Sequence, residues 1–265
     1  MNDGKLHISS LKRMGQTPMH YLYWQEHEFQ QTPAMRNGSL VHALVLGGSY
    51  TVYDGERRGK AWAQFAEDHA TDRLIVTVAE LERAVLAAYA IIRNLAQIEV
   101  AGIGPGTELL KGRKEHAIEW AFRGVPAHST LDVLGPGRVV DLKICTPSVM
   151  DPSRWWRHAA AQGWHAQFAF YREAAAHEFE AANGPVPNAW RCYAIAAESK
   201  PPHAVVVHRL SERALTKGLQ ACIAWTERLS VCTASGQWPG YAQSDVEWDI
   251  PDEAEIDFEG TEEGE

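Results

Sequence analysis

In the stretch GRVVDLKICTPS, residues 137–148, an acid and a base stand two apart inside an otherwise apolar run: Asp141 and Lys143. On a strand, that spacing puts both side chains on one face. Charges set among Val139, Val140, Leu142 and Ile144 are costly unless they are paired or bound to a metal. A turn signal, Gly135-Pro136-Gly137, separates this run from a second one, Val125–Leu134. If Gly135 to Arg138 form a four-residue hairpin loop, Leu134 faces Val139 and Asp132 falls opposite Asp141. Opposed residues share a face about 5 Å apart, where two bare carboxylates repel. A divalent cation between them removes the repulsion. Oxygen ligands of this kind suit Mg²⁺, which takes one or two carboxylates together with water and substrate phosphate. Lys143 points at the same site and could hold a phosphate oxygen, or orient and deprotonate an attacking water. Spacing alone leaves a second reading equally open, in which Lys143 neutralises one acid as a cross-strand ion pair on a solvated face.

These residues need a scaffold, and 265 residues suffice for one large domain or two small ones. A composition of 45% hydrophobic and 22% charged residues is that of a soluble globular protein. No apolar run is long enough to span a bilayer, and the opening MNDGKLHISS lacks a signal-peptide core. Cys145, Cys192, Cys222 and Cys232 form no CxxC pair, so neither a disulfide framework nor a zinc site is indicated. The expectation is a cytoplasmic protein with free thiols. The net charge of −9 is misleading, because residues 241–265 hold 11 of the 34 acids and no Lys or Arg. The rest carries 25 basic and 23 acidic side chains, which leaves room for a local basic groove.

Along the chain, residues 7–31 read as a helical, aromatic-rich arm broken at Pro18. A helix over Arg36–Leu46 ends at Gly47-Gly48, and residues 49–76 carry no clear pattern. Thr77 and Glu80 form a capping box before an apolar stripe at helical spacing, which predicts a helix over 78–99. Strand-like runs follow at Glu115–Phe122, Val125–Leu134 and Arg138–Cys145. Asp151-Pro152 then opens a helix to about Phe179. Ala189–Ala197 and Ala204–His208 read as strands, and Ser211 opens a helix to about Leu229. This order predicts an α/β (α+β) fold with a mixed central sheet flanked by helices. The division is an N-terminal helical part at 1–112, a core at 113–240 and an acidic, disordered tail at 241–265.

Asp132 followed by Asp141-Leu142-Lys143 resembles the signature of the PD-(D/E)xK nuclease superfamily. NGSLVHALVLG (37–47) resembles the G-x-x-x-H motif of RecB-type and RecE-type exonucleases, with His42 in the metal-ligand position. QFAFY (167–171) resembles their Q-x-x-x-Y motif, and on a helix Gln167 and Tyr171 share a face. ISSLKRMGQTPMHYLYW, WPGY (238–241) and EHAIEW (115–120) resemble segments of the RecE-like, exodeoxyribonuclease VIII-like subfamily, which makes Glu115 a secondary candidate. The similarity runs from about residue 7 to 250. There are departures: Leu131 stands where the name-giving motif has proline, and Asp141 fills a slot that is often glutamate. The resemblance implies a restriction-endonuclease-like core with an N-terminal helical arm. It implies that His42, Asp132 and Asp141 hold Mg²⁺, with Mn²⁺ able to substitute. Lys143 would assist the nucleophile, while Gln167 and Tyr171 position the scissile strand. The cysteines lack the clustering of the iron–sulfur site found in some RecB-type relatives, so no cluster is expected.

Among the remaining residues, Trp155, Trp156 and Trp164 could stack on bases, and Lys12, Arg13, Arg154 and Arg157 could contact phosphates. Against these stand the plainer readings of core aromatics and solvated surface charges. The resemblance implies an exonuclease acting on duplex DNA ends, 5′→3′, as a homo-oligomeric ring beside a single-strand annealing protein in phage or prophage recombination. Met19, Tyr21, Leu22, Tyr23 and Trp24 offer aromatic surface compatible with a subunit contact. The rival readings are a structure- or nick-directed endonuclease on the same fold and a non-catalytic DNA-binding protein on a decayed one.

Overall fold

The N-terminal arm is not one broken helix. In the computed structural model, which describes residues 3–27, 31–72, 74–183, 190–242 and 244–247, it opens with a short strand, β1 (Leu6–His7). Helix α1 (Ile8–Leu11) follows and tightens into a 3₁₀ turn, and α2 (Pro18–Glu26) begins at the proline expected to break it. Thr17 caps α2 by accepting from the His20 amide, and a proline in the first turn has no N–H to leave unpaired. Helix α3 (Pro33–Leu46) repeats the device with Thr32 and stops at Gly47, whose φ of 81° is left-handed. The unpatterned stretch folds as β2 (Thr51–Tyr53), α4 (Gly59–Asp68) and β3 (Ile75–Thr77), with β2 and β3 parallel. The reciprocal capping box of Thr77 and Glu80 forms and opens α5 (Val78–Ala96).

Strands β4 (Glu99–Val100) and β5 (Gly104–Pro105) make a small hairpin. Strands β6 (Arg113–Phe122), β7 (Val125–Gly135) and β8 (Arg138–Cys145) follow. The single helix expected after Asp151 is two, α6 (Pro152–Ala161) and α7 (Trp164–Asn183). Gly163, at φ 67°, makes the break that most side chains would resist. Strands β9 (Arg191–Glu198) and β10 (Val205–Arg209) lead to α8 (Glu212–Ser235), which Ser211 caps and Gly236 ends. The acidic tail expected over 241–265 lies outside the described residues from 248 onward.

The central sheet has six strands in the order β1-β7-β8-β9-β10, with β6 on the other edge of β7. It is mixed: β8–β9 and β1–β7 are parallel, the other pairs antiparallel. Strand β7 forks it. One edge pairs with β6 along nearly its whole length, while the other pairs with β1 at residues 127–128 and with β8 at 133–135. Among the described residues no strand takes residues 129–132 on that second edge. Helices cover both faces. One apolar layer packs α1, α7 and α8 on the sheet through Leu11, Phe168, Phe170 and Cys222. The other packs α3 and α5 through Leu40, Leu46, Ile91 and Leu95 against Tyr193 and Ile195. No helix among the described residues is long and apolar enough to cross a membrane.

Candidate metal centre

The hairpin count is observed with a change that matters. Leu134 faces Val139 and Val133 faces Val140, so Asp132 falls opposite Asp141, but the turn closes over two residues and the ladder stops one step short of that pair. Instead of backbone pairing, Asp132 Oδ2 accepts the Leu142 N–H at 2.7 Å. On its other side the β6–β7 ladder also skips one position, where Glu115 falls opposite Asp132. Glu115 has φ 46°, a left-handed backbone uncommon for a residue with a Cβ. Strain of this kind costs on the order of 1–3 kcal/mol and gathers at functional sites. Glu115, Asp132 and Asp141 thus form a row across three adjacent strands, at the point where both ladders open.

His42, on α3, reaches down onto this row. Its Nε2 lies 2.8 Å from Asp132 Oδ2 and its Nδ1 3.3 Å from Glu115 Oε1. Burial alone would lower the imidazole pKa, but the Asp132 hydrogen bond and the charges of Asp132, Glu115 and Asp141 raise it above the ordinary value. The imidazole thus sits between the Asp132 and Glu115 carboxylates, where a positive charge is favoured. Asp141 is 2% exposed. Burial pushes its carboxyl up, the Asp132 charge adds to that, and Lys143 pulls the other way. Its Oδ2 lies 2.6 Å from Lys143 Nζ, within ion-pair distance, yet makes no aligned hydrogen bond.

Gln167 and Tyr171, one turn apart on α7, complete the set. Gln167 accepts from Lys143 at 3.0 Å and donates to Asp141 Oδ1 at 3.0 Å and to the Tyr171 hydroxyl at 3.1 Å. An ammonium on one side and a carboxylate on the other fix the orientation of the amide. Burial, then the nearby carboxylates, push the Tyr171 hydroxyl up, so it stays a neutral phenol. Lys143 also lies 5.3 Å from the Trp164 ring centroid, a cation–π contact.

The donor set fits a hard divalent cation. His42, Glu115 and Asp132 each offer a ligand atom, and these atoms lie within 4.8 Å of one another. Asp141 stands outside this cluster, opposite Asp132 in the strand register, with its Oδ2 2.6 Å from Lys143 Nζ. Carboxylates with one imidazole suit Mg²⁺ or Mn²⁺. A cleft of about 920 Å³ opens over the row, lined by Gly38, His42, Glu115, Asp132, Lys143 and Tyr171. At the fork in the sheet lies a smaller cavity of about 180 Å³, lined by His7, Lys12, His128, Thr130, Gln167 and Tyr171.

Over residues 7–246 the chain matches the family described as PDDEXK-like domain of unknown function (DUF3799). The chain belongs to this PDDEXK-like family. The fold is also that of the crystal structure of a "Putative exonuclease" from Eubacterium rectale, with a TM-score of 0.59 at 16% identity over 94% of this chain and 91% of that one. No curated protein matches the chain. PDDEXK is a nuclease fold whose nucleases use divalent metals.

The PDDEXK core brings together His42, Glu115, Asp132, Asp141, Lys143, Gln167 and Tyr171. Glu115 joins His42 and Asp132 in the tight ligand cluster, while Asp141 is engaged by Lys143 and Gln167. The proposed stacking tryptophans separate. Trp155 is buried, its ring stacked 4.1 Å from that of His208, and Trp164 packs on Trp155 and Lys143, whereas Trp156 is exposed. Arg13 lies 4.1 Å over Trp24, and Arg154 and Arg157 are exposed. Lys12 lines the smaller cavity, and its pKa falls to about 8, first through burial and then through Lys143 and Arg13. Thr130, which lines both cavities, was not anticipated. Its place two residues before Asp132, on the same strand face, is the signal that could have found it.

Proposed function

We propose that this PDDEXK chain is a metal-dependent DNA exonuclease that hydrolyses phosphodiester bonds from the ends of linear duplex. We assign it Mg²⁺, with Mn²⁺ as substitute, a 5′→3′ direction, and a role in phage- or prophage-type recombination beside a single-strand annealing protein. The observation that carries the hydrolytic reading is the row Glu115–Asp132–Asp141 with Lys143 at its end, set under an open cleft. His42, Asp132 and Asp141, with Glu115, would hold the metal. A divalent cation there supplies Lewis acidity to the scissile phosphate and lowers the pKa of a water it binds. Lys143 presents its ammonium to the developing phosphate charge. The Gln167 amide keeps that ammonium beside Asp141, and the neutral Tyr171 hydroxyl offers a donor at the cleft wall. Among the described residues, those lining the cleft include no set of Arg, Asn or Gln spaced to read bases, which favours a nuclease restrained by DNA ends rather than by sequence.

The test is digestion of one plasmid, closed-circular and linearised, with Mg²⁺, with Mn²⁺ and with EDTA. Loss of the linear form alone, abolished by EDTA, is expected. Equal loss of both forms would replace the exonuclease with an endonuclease, and no loss of either would leave a DNA-binding protein. Strands labelled at the 5′ or the 3′ end give the direction, with early release of 5′ label expected.

A further inference from the structure

Helix α5 turns one apolar face to the core and another to solvent. Ala84, Ala87, Ala88, Ile91 and Leu95 are buried. On the opposite side Val78, Val85, Leu86, Tyr89 and Ile92 are exposed, Leu86 at 71% and Tyr89 at 68%. A helix on a domain surface ordinarily gives its outer face to charged residues. Here the charges at the pole of that face stand only at its ends: exposed Glu82 toward the N-terminus and exposed Arg93 toward the C-terminus. Glu82, Leu86, Tyr89 and Arg93 recur at spacings of four, three and four residues, so they form one line along the helix.

That order is its own complement when reversed. If two copies of α5 lie antiparallel about a two-fold axis between Leu86 and Tyr89, each Leu86 meets the partner copy's Tyr89. The same axis brings each Glu82 to the partner copy's Arg93, because the two pairs share one midpoint. A contact of this type uses one patch twice and closes at two. We propose that α5 is a dimerisation helix and that its occupant is a second copy of this chain, held by the Leu86–Tyr89 pairs and registered by the Glu82–Arg93 pairs. From Glu82 to Arg93 the line is about 16 Å long. It gives an interface in the small size class where weak and transient contacts are found, so association is sought in the micromolar range. A hydrophobic partner protein would use the apolar stripe as well, but nothing in such a partner requires the two end charges to be of opposite sign. The inference is independent of the nuclease reading. Helix α5 packs on α3, which carries His42, so the dimer would set its interface one helix away from each metal centre.

The test is sedimentation of the full chain across a micromolar concentration series. The wild type is expected to pass from monomer to dimer. Leu86→Lys, on the surface and with an unchanged melting temperature, should weaken dimerisation by about 30-fold or more. Glu82→Lys and Arg93→Glu should each weaken it, and the double variant, which restores opposite charges across the axis, should recover it. A wild type that stays monomeric throughout, or a dimer indifferent to Leu86→Lys, would overturn the proposal. Failure of the double variant to recover would overturn the antiparallel register.

Discussion

Lys143 and Asp141 sit where neither side chain would be placed for stability. Their ion pair is held at 2.6 Å among apolar neighbours, with Gln167 bonded to both. Breaking a buried pair from one side leaves a charge without a partner, which costs roughly 3–5 kcal/mol unless the remaining group neutralises. Asp141 can take up a proton because burial already pushes its carboxyl up, so the loss in Lys143→Met should fall short of that figure. Asp132→Asn differs: it gives up the charge facing His42 but also removes the repulsion with Asp141, and it keeps an oxygen for the Leu142 amide. In EDTA, Lys143→Met is therefore expected to melt well below wild type and Asp132→Asn close to it. Both should lose DNA cleavage by at least about 10²-fold. Near-wild-type cleavage by either variant would remove that residue from the chemistry. Lower melting of Asp132→Asn than of Lys143→Met would contradict the stability argument.

Two elements fix the site from a distance. Helix α8 crosses the start of α7 at Gly218, where a Cβ would come 2.1 Å from the His165 carbonyl oxygen. Backbone cannot yield as a side-chain tip does, so Gly218→Ala should cost about 1–3 kcal/mol. Because α7 carries Gln167 and Tyr171, cleavage should fall in the same variant even at temperatures where it stays folded. Thermal melting and single-turnover digestion check both parts. Helix α5 depends on its cap. Burial raises the Glu80 pKa, but the Thr77 amide and the Arg57 guanidinium outweigh it and hold the carboxyl below its ordinary value. A carboxyl depressed by folding adds stability that is complete above the unfolded pKa, about 4.3, and is lost as pH falls through the lower folded value. Glu80→Gln should therefore melt below wild type at neutral pH, and the gap should close as the pH drops below about 4. A gap that persists unchanged at acid pH would show that the cap acts without its charge.

For the whole molecule, a metal that binds only the folded state must raise its stability. At a concentration 100-fold above Kd the gain is about 2.7 kcal/mol. Melting in rising Mg²⁺ or Mn²⁺ should show that shift in the wild type and lose it in Asp132→Asn. Equal shifts in both proteins would place the ion elsewhere. Assembly is decided at this scale too. In the arm, Tyr21 stacks on Trp238 and Trp24 lies beneath Arg13, so those rings serve the monomer, while Met19 and Tyr23 remain exposed. A two-fold contact through α5 closes at two copies, and a ring would need a second, different contact.

What the sequence determined by itself is local. The capping box at Thr77 and Glu80, the left-handed stop at Gly47, the proline-started helices and the one-turn spacing of Gln167 and Tyr171 all arise from residues within four positions of one another. The count that sets Asp132 across from Asp141 is also local, because a tight turn carries it. The sequence-similar motifs placed His42 and Glu115 beside this pair. Tertiary structure decided the rest. Only the packed sheet could show that both ladders open around Asp132, that Glu115 adopts φ 46°, and that the Leu142 amide turns to a carboxylate instead of a strand. A lone glycine at 163 can end a helix or sit inside one, and because the residues on either side favour helix, only the structure shows that it takes the left-handed turn between α6 and α7. Strand β1 is too short to stand out from the arm, and it exists because β7 leaves an edge free at residues 127–128. Which face of α5 is covered was likewise invisible: both of its stripes are apolar, and only its packing against α3 and the sheet distinguishes the one that solvent reaches.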